Sequence, residues 1–252
     1  NNITQILPLS GFSWSYYSLG QPQKAIEFSE QQLKLSRTNE DKLGEADALN
    51  SLGVIYYNLD EYQKAIDLHK ESLKISETIG NLSGVGYSLG NLGLIYLSLD
   101  DYQRALDFHS QSLEIARETG EKSLEAFALD NIGDVYHSLD EYQKALGFQQ
   151  QSLIVSREIG ELPHEIDALR GIGNIYYSLG QYQKTLEFYQ KALEIAQDIG
   201  ERSSEGRILR SLGNTYHALD QYQKSIELYQ EALEIAQDTG ARSLEGSALR
   251  GL

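Results

Sequence analysis

Between residues 42 and 81 the apolar and small side chains fall at intervals of three and four. Leu49, Leu52, Gly53, Tyr56 and Leu59 form one set; after Asp60, Tyr62, Ala65, Ile66, His69, Ser72, Leu73 and Ser76 form another. Such spacing places each set on one face of an α-helix, so the segment predicts two helices joined near Asp60. Leu68 and Ile75 add a second apolar strip on another side of the second helix. A helix with two apolar sides has to be covered twice, by its own partner and by whatever lies beyond. The pattern then returns. Gly53, Gly93, Gly133, Gly173 and Gly213 recur every 40 residues, each followed three residues later by Tyr56, Tyr96, Tyr136, Tyr176 or Tyr216. Tyr62, Tyr102, Tyr142, Tyr182 and Tyr222 keep step, each followed by Gln and then Lys or Arg.

The punctuation repeats as well. Gly20, Asp60, Asp100, Asp140, Gly180 and Asp220 stand between the paired helices, and Gly and Asp tolerate left-handed backbone or start a helix. Gly80, Gly120, Gly160, Gly200 and Gly240 close each unit as helix caps. Of three prolines, none is expected inside a repeated helix. Gly53 and Ala65, with Thr185 and Ser225 later, mark where paired helices cross closely; a Leu there costs roughly 1–3 kcal/mol by overpacking. Ordering one unit costs about 1.5 kcal/mol per residue, which a lone helix pair does not recover, so neighbouring units must share a core. The units read as 2–41, 42–81, 82–121, 122–161, 162–201 and 202–241, with a partial one at 242–252, in one array over 1–252. The first is atypical: Ser13 replaces the glycine, Pro22 the tyrosine, and the only tryptophan, Trp14, stands there, as in a terminal cap.

Leu49-Leu52-Gly53-Tyr56 and Leu209-Leu212-Gly213-Tyr216, with a small residue such as Ala65 after them, resemble the tetratricopeptide repeat. The chain departs from the common form of about 34 residues by its longer helices and its period of 40. That variant is similar to the arrays of cell-polarity adaptors, kinesin light chains and bacterial signalling proteins. The resemblance implies an all-α, right-handed superhelical solenoid of antiparallel helix pairs whose first helices line a concave wall.

On that wall the positions left after core packing are the candidate binding surface. They are Asp47, Asn50, Val54 and Tyr57; Tyr87, Asn91, Leu94 and Leu97; and Phe127, Asp130, Asn131, Asp134 and His137. Later units offer Asp167, Arg170, Asn174 and Tyr177, then Arg207, Arg210, Asn214 and His217, with Arg250 at the end. Arg170, Arg210 and Arg250 form a ladder, and Asn174 and Asn214 follow the first two by four residues on the same helix face. Arginine presents a planar fork to a carboxylate, and asparagine suits an extended peptide backbone. The set is partly similar to a carboxylate clamp, although Ser211 and Ser247 stand where further anchors belong. A solvated face is the competing reading of the arginines. Tyr57, Tyr87, Leu94, Leu97 and Phe127 form an apolar set, either a docking patch or one covered by its neighbours.

Charge and chemistry narrow the functional classes. With 37 acidic and 21 basic side chains, a net charge of −16, the surface repels phosphate backbones and anionic lipid, so neither nucleic acid nor membrane is expected as partner. There is no cysteine, which excludes disulfides and thiolate metal sites. No apolar run reaches the roughly 18–20 residues of a membrane span, and no leader-like segment opens the chain, so a cytoplasmic location is expected. The sequence reads as a piece of a longer one. His69 and His109 are expected to pack in the core, and His164 to lie in a loop beside Pro163. Gly84, Gly86 and Gly90 lack phosphate-loop spacing, and the latter two should weaken their helix locally. No nucleophile–base set breaks the period, so no enzyme activity and no cofactor or metal is expected. The expected function is a protein-interaction scaffold gripping an extended segment with acidic and apolar stretches. The alternative is the sensor arm of a larger bacterial signalling protein, an ATPase or a caspase-like protease, with the activity in another domain. The oligomeric state is not legible.

Overall fold

Two local signals decide where each helix stops. At the first, Asp60, Asp100, Asp140 and Asp220 take φ near +60° and Gly180 takes φ +67°, turning the chain back after the first helix of a pair. Aspartate bears this left-handed backbone better than most residues, and the Tyr62 hydroxyl donates to Asp60 Oδ1 at 2.9 Å, an arrangement repeated by Tyr102, Tyr142 and Tyr222. At the second, Gly80 adopts φ +69°, its N–H bonding the Glu77 carbonyl while the Asn81 N–H bonds that of Ser76. This is a Schellman closure, for which glycine carries no steric penalty.

The computed structural model describes Tyr16 and residues 21–252. The helices are α1 (Pro22–Thr38), α2 (Lys42–Asn58), α3 (Tyr62–Ile79), α4 (Leu82–Ser98), α5 (Tyr102–Thr119) and α6 (Lys122–Ser138). They continue as α7 (Tyr142–Ile159), α8 (Leu162–Ser178), α9 (Tyr182–Ile199), α10 (Arg202–Ala218), α11 (Tyr222–Thr239) and α12 (Arg242–Gly251). No strand occurs among the described residues. First helices begin at 42, 82, 122, 162, 202 and 242, so the period holds to the residue. The terminal cap read at Ser13 and Trp14 lies outside the described residues.

The chain divides at Val135–Tyr136 into two compact units. In the first unit, Ser72 Oγ donates to the Ala46 carbonyl and His69 meets Asn50, so α2 and α3 run antiparallel. Their crossing is close because a Cβ on Gly53 would stand 2.6 Å from the His69 ring. Gly93 lies likewise under His109, while in the second unit Gly173 lies under Tyr189 and Gly213 under Tyr229. Ala65, Ala105, Thr185 and Ser225 are buried on the facing helices. Leu92, Ile95, Tyr96 and Val135 join Ala65 and Ile66 in the first core; Ile166, Leu169, Leu193, Ile208, Leu209 and Ile235 build the second.

Three expectations are corrected. Pro22 and Pro163 both sit in the first turn of a helix, where a missing N–H breaks no intrahelical bond. His164 is therefore in α8, not in a loop. Gly86 and Gly90 do not disturb α4: a Cβ on Gly86 would run into Leu124 and one on Gly90 would stand 2.6 Å from Phe127, so the two glycines receive the next helix.

Successive pairs are tied by a repeated ion pair. Glu45, buried near the start of α2, accepts from Arg37 at 2.8 Å and Lys42 at 2.7 Å; Glu125 accepts from Arg117 at 3.1 Å and Lys122 at 2.6 Å. The Lys42 bond foremost holds Glu45 below the ordinary carboxylate range. For Glu125 burial pushes upward, but the bonds from Lys122 and Arg117 outweigh it. Arg117→Ala should lower the stability of the first unit by about 1 kcal/mol, read as a urea midpoint, because Arg117 is half exposed and Lys122 remains.

His109 shows the opposite case. Both its ring nitrogens are buried without a partner among the described residues, because Gly90 and Leu94 stand where the other pairs place a polar side chain. Burial lowers His69 to about 4 and His109 to about 3. In the unfolded chain both titrate near 6.5, so unfolding takes up protons as pH falls below that value. The stability they contribute is therefore complete above pH ~6.5 and declines by several kcal/mol toward their folded values. His69→Gln with His109→Gln, glutamine being native at position 149, should flatten the fall in urea midpoint between pH 6.5 and 5. An unchanged slope would refute this account.

Candidate functional site

In the first unit the first helices stand side by side and parallel. Asn91 Nδ2 donates to Asn50 Oδ1 at 3.0 Å, and the Tyr57 hydroxyl meets Ser98 Oγ at 3.0 Å, each pair 41 residues apart. The wall they form is half-buried: Tyr57 and Leu97 lean on the core, and Tyr87 and Phe127 pack with ring centres 6.4 Å apart. Phe127 also covers Gly90. Leu94, Val54, Asp130 and Asp134 are half-buried, and Asp47 is exposed. Asn131 is withdrawn from the face: it is 5% exposed and donates to the Phe127 carbonyl of its own helix.

The second unit presents a polar face. The Tyr189 hydroxyl donates to Asn174 Oδ1 at 2.6 Å, and Tyr229 to Asn214 Oδ1 at 2.7 Å. Each asparagine thus has its oxygen engaged from below, leaving the amide N–H groups for a peptide carbonyl. Burial pushes the Tyr189 phenol up to about 12, and Arg170 and Arg210, flanking it, act in the other direction. Tyr177 is half-buried against Tyr182, and His217 lies edge-on to Tyr222. His137 faces Ser178.

The arginines differ in what they touch. Arg170 reaches Asp167 at 3.3 Å and Arg207 donates to Ser204 at 3.0 Å. Arg210 is half-buried and Arg250 exposed. Among the described residues no carboxylate stands within ion-pair distance of Arg207, Arg210 or Arg250, although the chain has 37 acidic side chains. Ser211 and Ser247 bond carbonyls of their own helices, so neither extends the arginine set.

Sequence reading missed two groups. The ion-pair ties carry a signal, Arg or Gln eight residues before Glu45, Glu125, Glu165 and Glu205, but that spacing crosses a turn and no single-helix pattern exposes it. A cleft of about 250 Å³ beside Asp47 and Asn50 is completed by Ser76 of α3 and Asn81 of the turn after it. Among the described residues no three His, Asp or Glu side chains gather as for a metal ion, and no helix is long and apolar enough to cross a membrane.

Comparison with known proteins follows the same lines. RapI in its apo form shares 17% identity at a TM-score of 0.75, over 94% of this chain and 85% of its own. The tetratricopeptide sensor protein of the signal-transduction ATPase class from Pyrococcus horikoshii shares 22% identity at a TM-score of 0.67 over 96% of this chain, which spans only 37% of that protein. The Rap conjugation gene regulator of plasmid pLS20, solved with the Phr* peptide, shares 12% identity at a TM-score of 0.72, over 97% of this chain and 78% of its own. Among curated proteins none matches in sequence. The tetratricopeptide repeat profile matches residues 15–78, 85–158 and 165–238, most of the length. With helix pairs, glycine crossings and left-handed turns in the same register, the chain belongs to the tetratricopeptide repeat family.

Proposed function

We propose that this chain is a protein-interaction scaffold that holds an extended partner segment along the face of its first helices. The observation that carries the reading is the set Arg207, Arg210 and Arg250, which have no carboxylate partner among the described residues of an acidic chain. A like-charged row without counter-ions favours binding of an anion, and a guanidinium offers a carboxylate two parallel bonds. Asn174 and Asn214 beside it have amide donors available for a peptide backbone. On the first unit Tyr57, Tyr87, Leu94, Leu97 and Phe127 supply apolar contact. The partner is thus a segment with an acidic stretch and an apolar one. The Phr* peptide bound by a protein of the same fold supports a peptide as occupant. The 40-residue period passes residue 135 unbroken, which supports reading 1–252 as one array. The acidic surface favours neither nucleic acid nor anionic membrane as partner, and the role needs no catalytic group, cofactor or metal; we place it in the cytoplasm.

A second reading makes the array the sensor arm of a larger signalling protein. The likeness to the Pyrococcus horikoshii ATPase, of which the chain spans 37%, favours it. Both readings use the same face and part on the full reading frame, where a nucleotide-binding motif would decide for the sensor arm.

Titrating an extended acidic peptide into the protein tests the shared claim. Arg207→Ala with Arg210→Ala and Arg250→Ala should weaken binding at least tenfold, and added salt should weaken the wild type while hardly affecting the variant. Equal affinities would remove the arginines from the site.

A further inference from the structure

The cleft beside Asp47 differs from the arginine face in charge, depth and composition. It holds about 250 Å³ between α2, α3 and α4. Asp47 stands at its rim, and among the described residues its carboxylate has no hydrogen-bond or ion-pair partner. Although its side chain reaches solvent, partial desolvation by the neighbouring residues, and secondarily the charge of Asp41, raises the Asp47 pKa above the ordinary value. Glu121 adds a further carboxylate, accepting a hydrogen bond from Ser83 at the cleft wall.

The floor supplies a second observation. Ser76 Oγ is fully buried, lines the cleft and has no hydrogen-bond partner among the described residues. It packs onto Gly84, where a Cβ would lie 2.6 Å from it, so the missing side chain leaves room for the hydroxyl. Asn81 Oδ1 caps the Gly84 N–H at 3.1 Å and keeps a second lone pair. Asn50 Oδ1 is held by Asn91 at 3.0 Å. One side of the cleft is the half-buried Tyr87 ring. The cleft is therefore lined mainly by oxygen acceptors and one aromatic wall, with the Asp47 carboxylate at its rim and a buried hydroxyl at its base.

We infer that the cleft of Asp47, Ser76, Asn81 and Tyr87 is a binding site for a primary ammonium group, such as a lysine side chain. An ammonium has three donors in a compact head, which matches separate single oxygens; a guanidinium needs a flat two-oxygen acceptor instead. The Tyr87 ring adds cation–π attraction. A divalent metal is disfavoured, because six to eight oxygen ligands are usual for calcium and only Asp47 contributes a carboxylate directly. The site goes beyond the arginine face while resting on the same reading, that the first-helix wall binds partners. Its occupant would be a basic residue next to an apolar one that meets Phe127.

Titration of the full chain with n-butylammonium chloride, followed by amide NMR at constant ionic strength, tests the site. The amides of Ser83, Gly84 and Tyr87 should shift in a saturable way. Asp47→Asn, an isosteric change at an exposed position, should weaken the dissociation constant at least tenfold, and Ser76→Ala should weaken it several-fold. Asp67→Asn, on the exposed side of α3, should leave it unchanged. Shifts that fail to saturate, equal shifts in Asp47→Asn, or a preference for methylguanidinium would overturn the assignment. A failed acidic-peptide titration would count against the arginine face and not against this cleft, since the free amine reports on the first unit alone.

Discussion

In every pair with a described ring contact, a side chain of the second helix lies directly over a glycine of the first, and this crossing sets the geometry of the rest. His69 on Gly53, His109 on Gly93, Tyr189 on Gly173 and Tyr229 on Gly213 leave no space for a Cβ. The helices therefore approach closely enough to share a core, and the next pair covers the side left open. Ala65, Ala105, Thr185 and Ser225 keep the opposite side small for the same reason.

The residue chosen for that crossing also decides what the outer face can do. A tyrosine is long enough to pass its hydroxyl through to Asn174 or Asn214, orienting each amide outward. The shorter His69 ring meets Asn50, one helical turn earlier in the pattern. His109 finds no partner among the described residues, since Gly90 makes room for Phe127 and Leu94 offers no polar atom. Core and face are in this sense one problem. The first unit carries an acid-sensitive core beneath an aromatic wall, and the second a tyrosine-supported polar face on which Arg207, Arg210 and Arg250 have no carboxylate partner among the described residues.

Much of this was legible because it is periodic. The three-and-four spacing marks the helices, and the Asp60 and Gly80 series mark the left-handed turns residue by residue. What escaped was either local chemistry or contact across elements. Pro163 looked like a boundary, yet the first turn of a helix accepts proline. Gly90 looked like a weakness in α4, although its missing side chain is filled by Phe127, 37 residues on in the chain. Asn131 belongs to the right face by spacing, but it turns back to its own backbone, which no periodic pattern reveals. The Asp47 cleft draws Ser76 and Asn81 from a second helix and a turn, and a reading confined to first helices could not assemble it.

The dependence on the glycine crossing can be tested by amide hydrogen exchange on two leucine variants. Gly173 lies under the Tyr189 ring, with a Cβ distance of 2.5 Å, whereas nothing stands within 4 Å of a Cβ on Gly147 in α7. Gly173→Leu should strip protection from α8 and α9, while Gly147→Leu should keep or raise it in α7, where leucine favours the helix by about 1 kcal/mol over glycine. Equal protection in the two variants would contradict the account.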